Sequence, residues 1–264
     1  MYTREEARCP SMRTANLTDR WLIFPQPSRQ PRMRLFCFPY AGGSASVFSS
    51  WCQHLSPSIE VCAVQLPGRE SRLGELPMTR MSQLIGILDD LITPFLDLPF
   101  AFFGHSMGAL IAFEMARAMR RRHATNLAHL FVSARIAPHL VSAGSPMSQL
   151  PDIELIARLR ELNGTPEMVL QHQELLNLFL PIIRADMELN ETYLYYLEAP
   201  LSVPLTVFGG TSDPRVSQSN LEMWKDHASS SFSLKMFSGD HFFINTAKQQ
   251  VLASLSAILM NILM

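Results

Sequence analysis

Along this chain, short apolar runs alternate with longer stretches in which apolar positions recur every three or four residues. Six runs read as strands: "RLFCFP" (34–39), "EVCAVQL" (60–66), "PFAFFG" (99–104), "AHLFVSA" (128–134), "PLTVFG" (204–209) and "FSLKMF" (232–237). Each is short, apolar on both faces and closed by Gly, Pro or Ser, the pattern of strands buried within a sheet. Between them, "SVFSSWCQHL", "MSQLIGILDDLITPFL", "MGALIAFEMARAM", "SNLEMWKDHA" and "TAKQQVLASLSAILMNIL" carry helical spacing. The alternation predicts a mainly parallel sheet covered by helices on both faces.

One gap breaks the rhythm. From Arg135 to Val203, nearly 70 residues pass without a convincing strand, far more than an ordinary crossover needs. Inside it, Leu155, Ile156, Leu159 and Leu162 form a helical stripe, with Asp152 suited to the N-cap and Gly164 to the C-terminal stop. A second pattern, "ELLNLFLPIIRADMELNETYLYYL", is expected to be helical with a bend near Pro181. Residues 144–200 therefore read as a helical lid inserted over the sheet, the other reading being a plain structural subdomain. Residues 21–264 make one domain on this view. Residues 1–20 are polar and aperiodic and are expected to be a disordered N-terminal extension.

Composition narrows the function classes. With 47% hydrophobic residues and a formal net charge of -1, the chain offers no general reason to bind nucleic acid or an anionic membrane. Cys9, Cys37, Cys52 and Cys62 all lie in the first quarter, without metal-ligand spacing. Cys37 and Cys62 fall inside predicted strands, as buried reduced thiols do. There is no apolar core of signal-peptide length and no membrane span, so a soluble cytoplasmic protein is expected.

The candidate chemistry begins at "FFGHSMG". Gly104-His105-Ser106-Met107-Gly108 fits G-x-S-x-G, the nucleophile elbow, in which a sharp strand-to-helix turn lifts a serine above the sheet edge. Neighbours without Cβ atoms relieve the crowding of such a turn. Chance supplies the pattern in roughly one chain of this length in ten, so its setting between an apolar strand and an amphipathic helix matters more than the match.

A serine needs a base to take its proton and a carboxylate to orient that base. In an α/β-hydrolase these follow in the order Ser, acid, His, on loops after later strands. The run 204–209 leads into "GGTSDPRV", which supplies Asp213, and 232–237 leads into "SGDHFFI", which supplies His241. Ser106, Asp213 and His241 are therefore the candidate triad. His105 is read as packed or hydrogen-bonded in the elbow, Asp240 as a turn former and His139 as structural or touching the pocket.

The tetrahedral intermediate needs two backbone donors. The Met107 N–H is one candidate. The second comes from the loop "PYAGGSASVF", with Ala41 preferred and Tyr40 as the fallback. The basic run "ARAMRRRH" resembles a docking patch, but sixteen helical residues at ~1.5 Å each carry Arg122 roughly 24 Å from the elbow. A solvated helix end, its arginines complementing the helix dipole, is expected instead.

Together, "LFCFPYAGGSASVFSSW", "VQLPGRESR", "FFGHSMGALIAFEMAR", "SARIAPH", "LRELNGTPEMVL", "LLNLFLPIIRADMELNETY" and "VFGGTSDPRV" resemble the type II thioesterases, from about Trp21 to the C-terminus. These are stand-alone α/β-hydrolases that accompany non-ribosomal peptide, polyketide and some fatty-acid synthases. Several of the blocks lie in the lid and connections, where general hydrolase chemistry makes no demand.

The resemblance implies an α/β-hydrolase fold with an inserted helical lid and the roles above for Ser106, Asp213, His241, Met107 and Ala41. It implies as substrate an acyl or aminoacyl thioester on the phosphopantetheine arm of an acyl or peptidyl carrier protein, and editing of stalled synthase modules. No metal or organic cofactor is implied, and a monomer is expected. The rival readings are a carboxylesterase or lipase, a medium-chain fatty-acyl thioesterase and, in another class, a non-catalytic binding protein.

Overall fold

The computed structural model describes residues 20–140 and 146–264. The expected N-terminal extension lies outside the described residues as far as residue 19, and so does 144–145, the start assigned to the lid. A seven-stranded sheet runs in the order β1-β3-β2-β4-β5-β6-β7. Its strands are β1 (Leu22–Ile23), β2 (Met33–Phe38), β3 (Ile59–Val64), β4 (Phe100–His105), β5 (Leu127–Ser133), β6 (Leu205–Gly210) and β7 (Phe232–Phe237). Every neighbouring pair is parallel except β1 against β3.

The six predicted strands are present with ends within two residues of expectation. β1 is the addition: two residues are too few to show a period. β7 departs from the expected two-sided burial, because it closes the sheet and leaves Lys235 exposed. Elsewhere strand periodicity explains the apolar runs directly. Phe36, Phe38, Phe100 and Phe102 face one core, while Leu35, Cys37, Ala101 and Phe103 face the other.

The described helices are α1 (Met81–Ile92), α2 (Met107–Arg121), α3 (Asp152–Leu162), α4 (Glu167–Gln171), α5 (Gln173–Glu191), α6 (Gln218–Glu222), α7 (Phe243–Thr246) and α8 (Lys248–Leu263). α1 and α2 cover the first core, and α8 covers the second. "SVFSSWCQHL" forms two 3-10 turns rather than a helix, and α6 gives way to a 3-10 turn at Met223–His227.

The inserted helices α3, α4 and α5 share a small core of Leu155, Leu159, Leu170, Leu176, Leu180 and Ile183. Three local expectations need correction there. Asp152 is the first residue of α3 rather than its cap, and its carboxylate meets Arg184 Nη2 at 2.5 Å. Asn163, not Gly164, takes the left-handed conformation that ends α3, with φ 55°. Gly164 instead lies against the ring of Phe242, which a Cβ there would displace. α5 passes through Pro181 and stops at Glu191, so the "TYLYYL" segment is not helical.

The arginine-rich end of α2 is likewise not simply solvated. The Arg117 side chain is 4% exposed and pairs with Glu114 at 2.8 Å and Glu198 at 2.5 Å. Arg120 and Arg121 also reach Glu198, and Arg122 pairs with Asp89 and Asp90 on α1. These pairs fasten the chain after α5 to the back of α2. Glu198 is about 80 residues from its partners in sequence, beyond the reach of any local pattern.

The strand order positions the site. From β2 the chain moves outward to β3, whereas from β4 it moves the other way to β5. Loops leaving the carboxyl ends of β2 and β4 diverge there, at a topological switch point, the usual ligand position in an open parallel sheet.

Candidate active site

Ser106 stands alone between the last residue of β4 and the first of α2, at φ 54° and ψ -111°. A non-glycine residue holds positive φ only where its surroundings enforce it. The enforcement is visible. The Ser106 N–H donates to the Ser133 carbonyl at 2.8 Å. A Cβ on Gly104 would overlap the Gly108 carbonyl, and a Cβ on Gly108 would overlap the Phe38 carbonyl. Strand end, helix start and the end of β2 are thus pressed together around Ser106.

The loops after β6 and β7 bring Asp213 and His241 to the same place. His241 Nε2 lies 3.0 Å from Ser106 Oγ, and His241 Nδ1 lies 2.7 Å from Asp213 Oδ2. The other Asp213 oxygen accepts the Arg215 N–H at 2.8 Å and the Val216 N–H at 3.2 Å. That leaves Oδ2 for the imidazole. An ionised carboxylate only accepts, so the proton belongs on Nδ1 and the Nε2 lone pair faces the serine hydroxyl. The side chains of His241 and Asp213 are 5% and 1% exposed.

His105 is fully buried and supports this line from below. Its Nε2–H donates to the His241 carbonyl oxygen at 2.9 Å, and its Nδ1 accepts the Ser133 hydroxyl at 2.9 Å. Burial, and secondarily the neighbouring His241, push its pKa well below the usual histidine value. It is a neutral strut, packed and hydrogen-bonded in the elbow as expected. Asp240 closes a turn, accepting the Phe242 N–H at 2.8 Å. His139 pairs with His227, ring nitrogens 2.7 Å apart.

The loop after β2 makes a tight turn over Tyr40–Gly43. The Gly43 N–H donates to the Tyr40 carbonyl at 2.8 Å, and Gly42 has φ +75°, the type II geometry that calls for glycine. The Gly42 N–H is taken by Asp186 Oδ2 at 2.7 Å. Among the described residues, the N–H groups of Tyr40, Ala41 and Met107 donate to no protein atom. The Gly108–Phe38 contact sets the end of β2, from which this loop leaves, against the start of α2.

Sequence reasoning did not find Ser133, Asp186 or Arg69 here. Ser133 is an ordinary strand residue in sequence, and Arg69 and Asp186 are separated by 117 positions. Among the described residues, no three His, Cys, Asp or Glu side chains form a group that could hold a metal ion. No described helix is long and apolar enough to cross a membrane.

A family model described as "Thioesterase domain" matches residues 33–259. The gramicidin S biosynthesis protein GrsT of Aneurinibacillus migulanus is 44% identical over 234 residues, covering 89% of this chain and 91% of that one. Thioesterase PikA5 of Streptomyces venezuelae is 37% identical over 237 residues, covering 89% and 84%. The solved structure of the type II thioesterase BorB, from the borrelidin biosynthetic cluster, matches with a TM-score of 0.83 at 35% identity. That match covers 90% of this chain and 97% of the other. A family match over most of the chain, together with relatives this similar along nearly their whole length, shows that this chain belongs to the thioesterase family, as a type II thioesterase that hydrolyses thioesters.

Proposed function

We propose that this thioesterase releases acyl or aminoacyl groups from the phosphopantetheine arm of acyl or peptidyl carrier proteins in a non-ribosomal peptide or polyketide synthase, clearing stalled modules. Ser106 is the nucleophile, His241 the base and Asp213 the orienting acid. The N–H groups of Met107 and Ala41 hold the oxyanion. The observation that carries this reading is the continuous line from Asp213 through His241 to Ser106, at 2.7 Å and 3.0 Å.

The chemistry follows from those positions. Ser106 Oγ attacks the thioester carbonyl as its proton passes to His241 Nε2. Asp213 stabilises the imidazolium, and the two N–H groups take up the charge on the carbonyl oxygen. Collapse breaks the carbon–sulfur bond. The proton that His241 took from Ser106 leaves with the sulfur, a ready leaving group at a thiol pKa of about 8.5, and His241 is neutral again. Water then attacks the acyl-enzyme, giving its proton to His241, and a second collapse frees the acid and restores the Ser106 hydroxyl. Every proton and electron pair in the cycle is handled by these groups, so no cofactor is invoked.

Residues 144–200 act as the lid over this site, in a domain spanning 21–264, and the enzyme works as a monomer. The buried free thiols of Cys37 and Cys62 suit a reducing compartment such as the cytoplasm.

The test compares turnover of one acyl group presented as a carrier-protein thioester and as a p-nitrophenyl ester. The thioester should be strongly preferred. A strong preference for the free ester would make the protein an esterase on the same scaffold.

A further inference from the structure

The side chain that takes the Gly42 N–H belongs to the inserted helices rather than to the sheet domain. Asp186 lies on α5, and Arg69 follows β3 in "LPGRES". Both are buried, their side chains 2% and 5% exposed, and they meet as a bidentate pair. Arg69 Nη2 donates to Asp186 Oδ1 at 2.8 Å, and Nη1 donates to Oδ2 at 2.8 Å. Oδ2 is shared, since it also accepts the Gly42 N–H at 2.7 Å. Arg69 Nη1 reaches the Gly43 carbonyl at 3.1 Å as well. One turn earlier on α5, Ile183 packs over Gly42, with Cγ1 3.3 Å from where a Cβ would stand. Gln65 completes the frame, donating to the Arg69 carbonyl at 2.9 Å and accepting the Ala45 N–H at 2.9 Å.

These contacts fix two consecutive peptide planes. The Asp186 bond sets the Ala41–Gly42 plane through the Gly42 N–H. The Gly43 N–H sets the Tyr40–Ala41 plane by holding the Tyr40 carbonyl. Within a trans peptide the C=O and N–H point in opposite directions. With its carbonyl turned into the turn, the Tyr40–Ala41 plane sends the Ala41 N–H outward. We propose that Asp186, held by Arg69, is a positioning residue for the oxyanion hole, acting through the Gly42 peptide to aim the Ala41 N–H at the thioester carbonyl oxygen. The proposal rests on the assignment of Ala41 and Met107 as the oxyanion donors. It makes one helix of the lid part of the catalytic frame.

A buried ion pair is costly to break but can often be replaced by apolar side chains without loss of stability. That permits a test in which folding and positioning separate. The double variant R69M/D186L removes the charges together with the acceptor for Gly42, whereas R69M/D186N restores a neutral carbonyl at the same place. The substrates are the acyl carrier-protein thioester and a trifluoromethyl ketone carrying the same acyl chain, which adds the serine hydroxyl and carries a tetrahedral oxyanion.

R69M/D186L should melt within a few degrees of the natural protein and keep KM within about threefold. Its kcat should fall about 10–100-fold, the range expected for a slight misplacement of a catalytic group. Ketone affinity should fall in the same proportion, and R69M/D186N should recover most of both. Unchanged kcat and ketone affinity in folded R69M/D186L would overturn the proposal, as would a loss that R69M/D186N fails to recover. If R69M/D186L does not fold, Arg69→Lys, which keeps the charge but not the fork, carries the test. It should lose kcat and ketone affinity together, and parity with the natural protein in both would overturn the proposal. Ser106→Ala, measured alongside, separates the two levels: full turnover in that variant would overturn the assignment of the site itself.

Discussion

Gly104 and Gly108 touch across the elbow so closely that a methyl group on Gly104 would occupy the space of the Gly108 carbonyl. The obstructing atoms are backbone, which cannot swing away as a side chain would. Gly104→Ala is therefore expected to cost at least the roughly 1–3 kcal/mol typical of overpacking. In a chain of this size each kcal/mol lowers Tm by about 2–4 °C. A thermal melt of Gly104→Ala indistinguishable from that of the natural protein would contradict the packing described for the elbow.

Asp213 meets His241 with a single oxygen, the other being held by the Arg215 and Val216 amides. Asp213→Asn should present an amide that favours the wrong imidazole tautomer, and kcat should drop on the order of 10⁴-fold, as in the serine-protease triad. Tm should move little. Near-normal turnover in a folded Asp213→Asn protein would shift the acid role elsewhere, and Asp240 would be the next residue to replace.

Stability should fall as the pH is lowered from neutrality, with buried histidines contributing. Burial lowers the pKa of His129 to about 4, and burial together with His139 lowers that of His227 to about 4. Their unfolded values lie near 6.5. Between about pH 6.5 and 4 the unfolded chain binds more protons at these positions, so their contribution is complete above pH 6.5 and is lost as pH falls toward 4. Thermal melts at pH 7 and pH 5 test this. His129→Gln should show a smaller drop in Tm than the natural protein, and an equal drop would remove His129 from the account.

The three inserted helices should not move as one body. α5 is pinned by the buried Arg69–Asp186 pair, whereas α3 buries only Leu155 and Leu159 and carries its ion pairs on the surface. Amide exchange reports such local differences. Exchange should be faster in α3 and α4 than in the second half of α5. Equal protection across all three helices would count against this division.

Much of this was legible from the sequence, and the misses share a physical character. Strands buried on both faces announce themselves as unbroken apolar runs, which is why β2 to β6 were found within two residues. Gly104 was legible because its contact with the Gly108 carbonyl lies within five residues of chain, whereas the contact that demands Gly108 comes from Phe38 on β2. β1 was not, because a strand of two residues has no period. Long-range pairing was also invisible. Arg117 looked like a solvated helix end until Glu198 came back across α2, and nothing near Asp186 indicated that it would reach Gly42 and Arg69. Gly164 gave the right punctuation for the wrong reason: Asn163 makes the left-handed turn, and Gly164 makes room for Phe242.

The central claim is that Ser106 carries the acyl group between the two halves of the reaction. The most direct measurement mixes the enzyme with an acyl carrier-protein thioester, quenches in acid within the first turnover and locates the added mass by peptide mass spectrometry. The account predicts one acyl group on the peptide containing Ser106, formed before steady state. It also predicts no adduct in Ser106→Ala, with turnover reduced by at least about 10³-fold, given that triad knockouts retain only weak residual catalysis. Undiminished turnover in folded Ser106→Ala, or an acyl group recovered on a different residue, would contradict it.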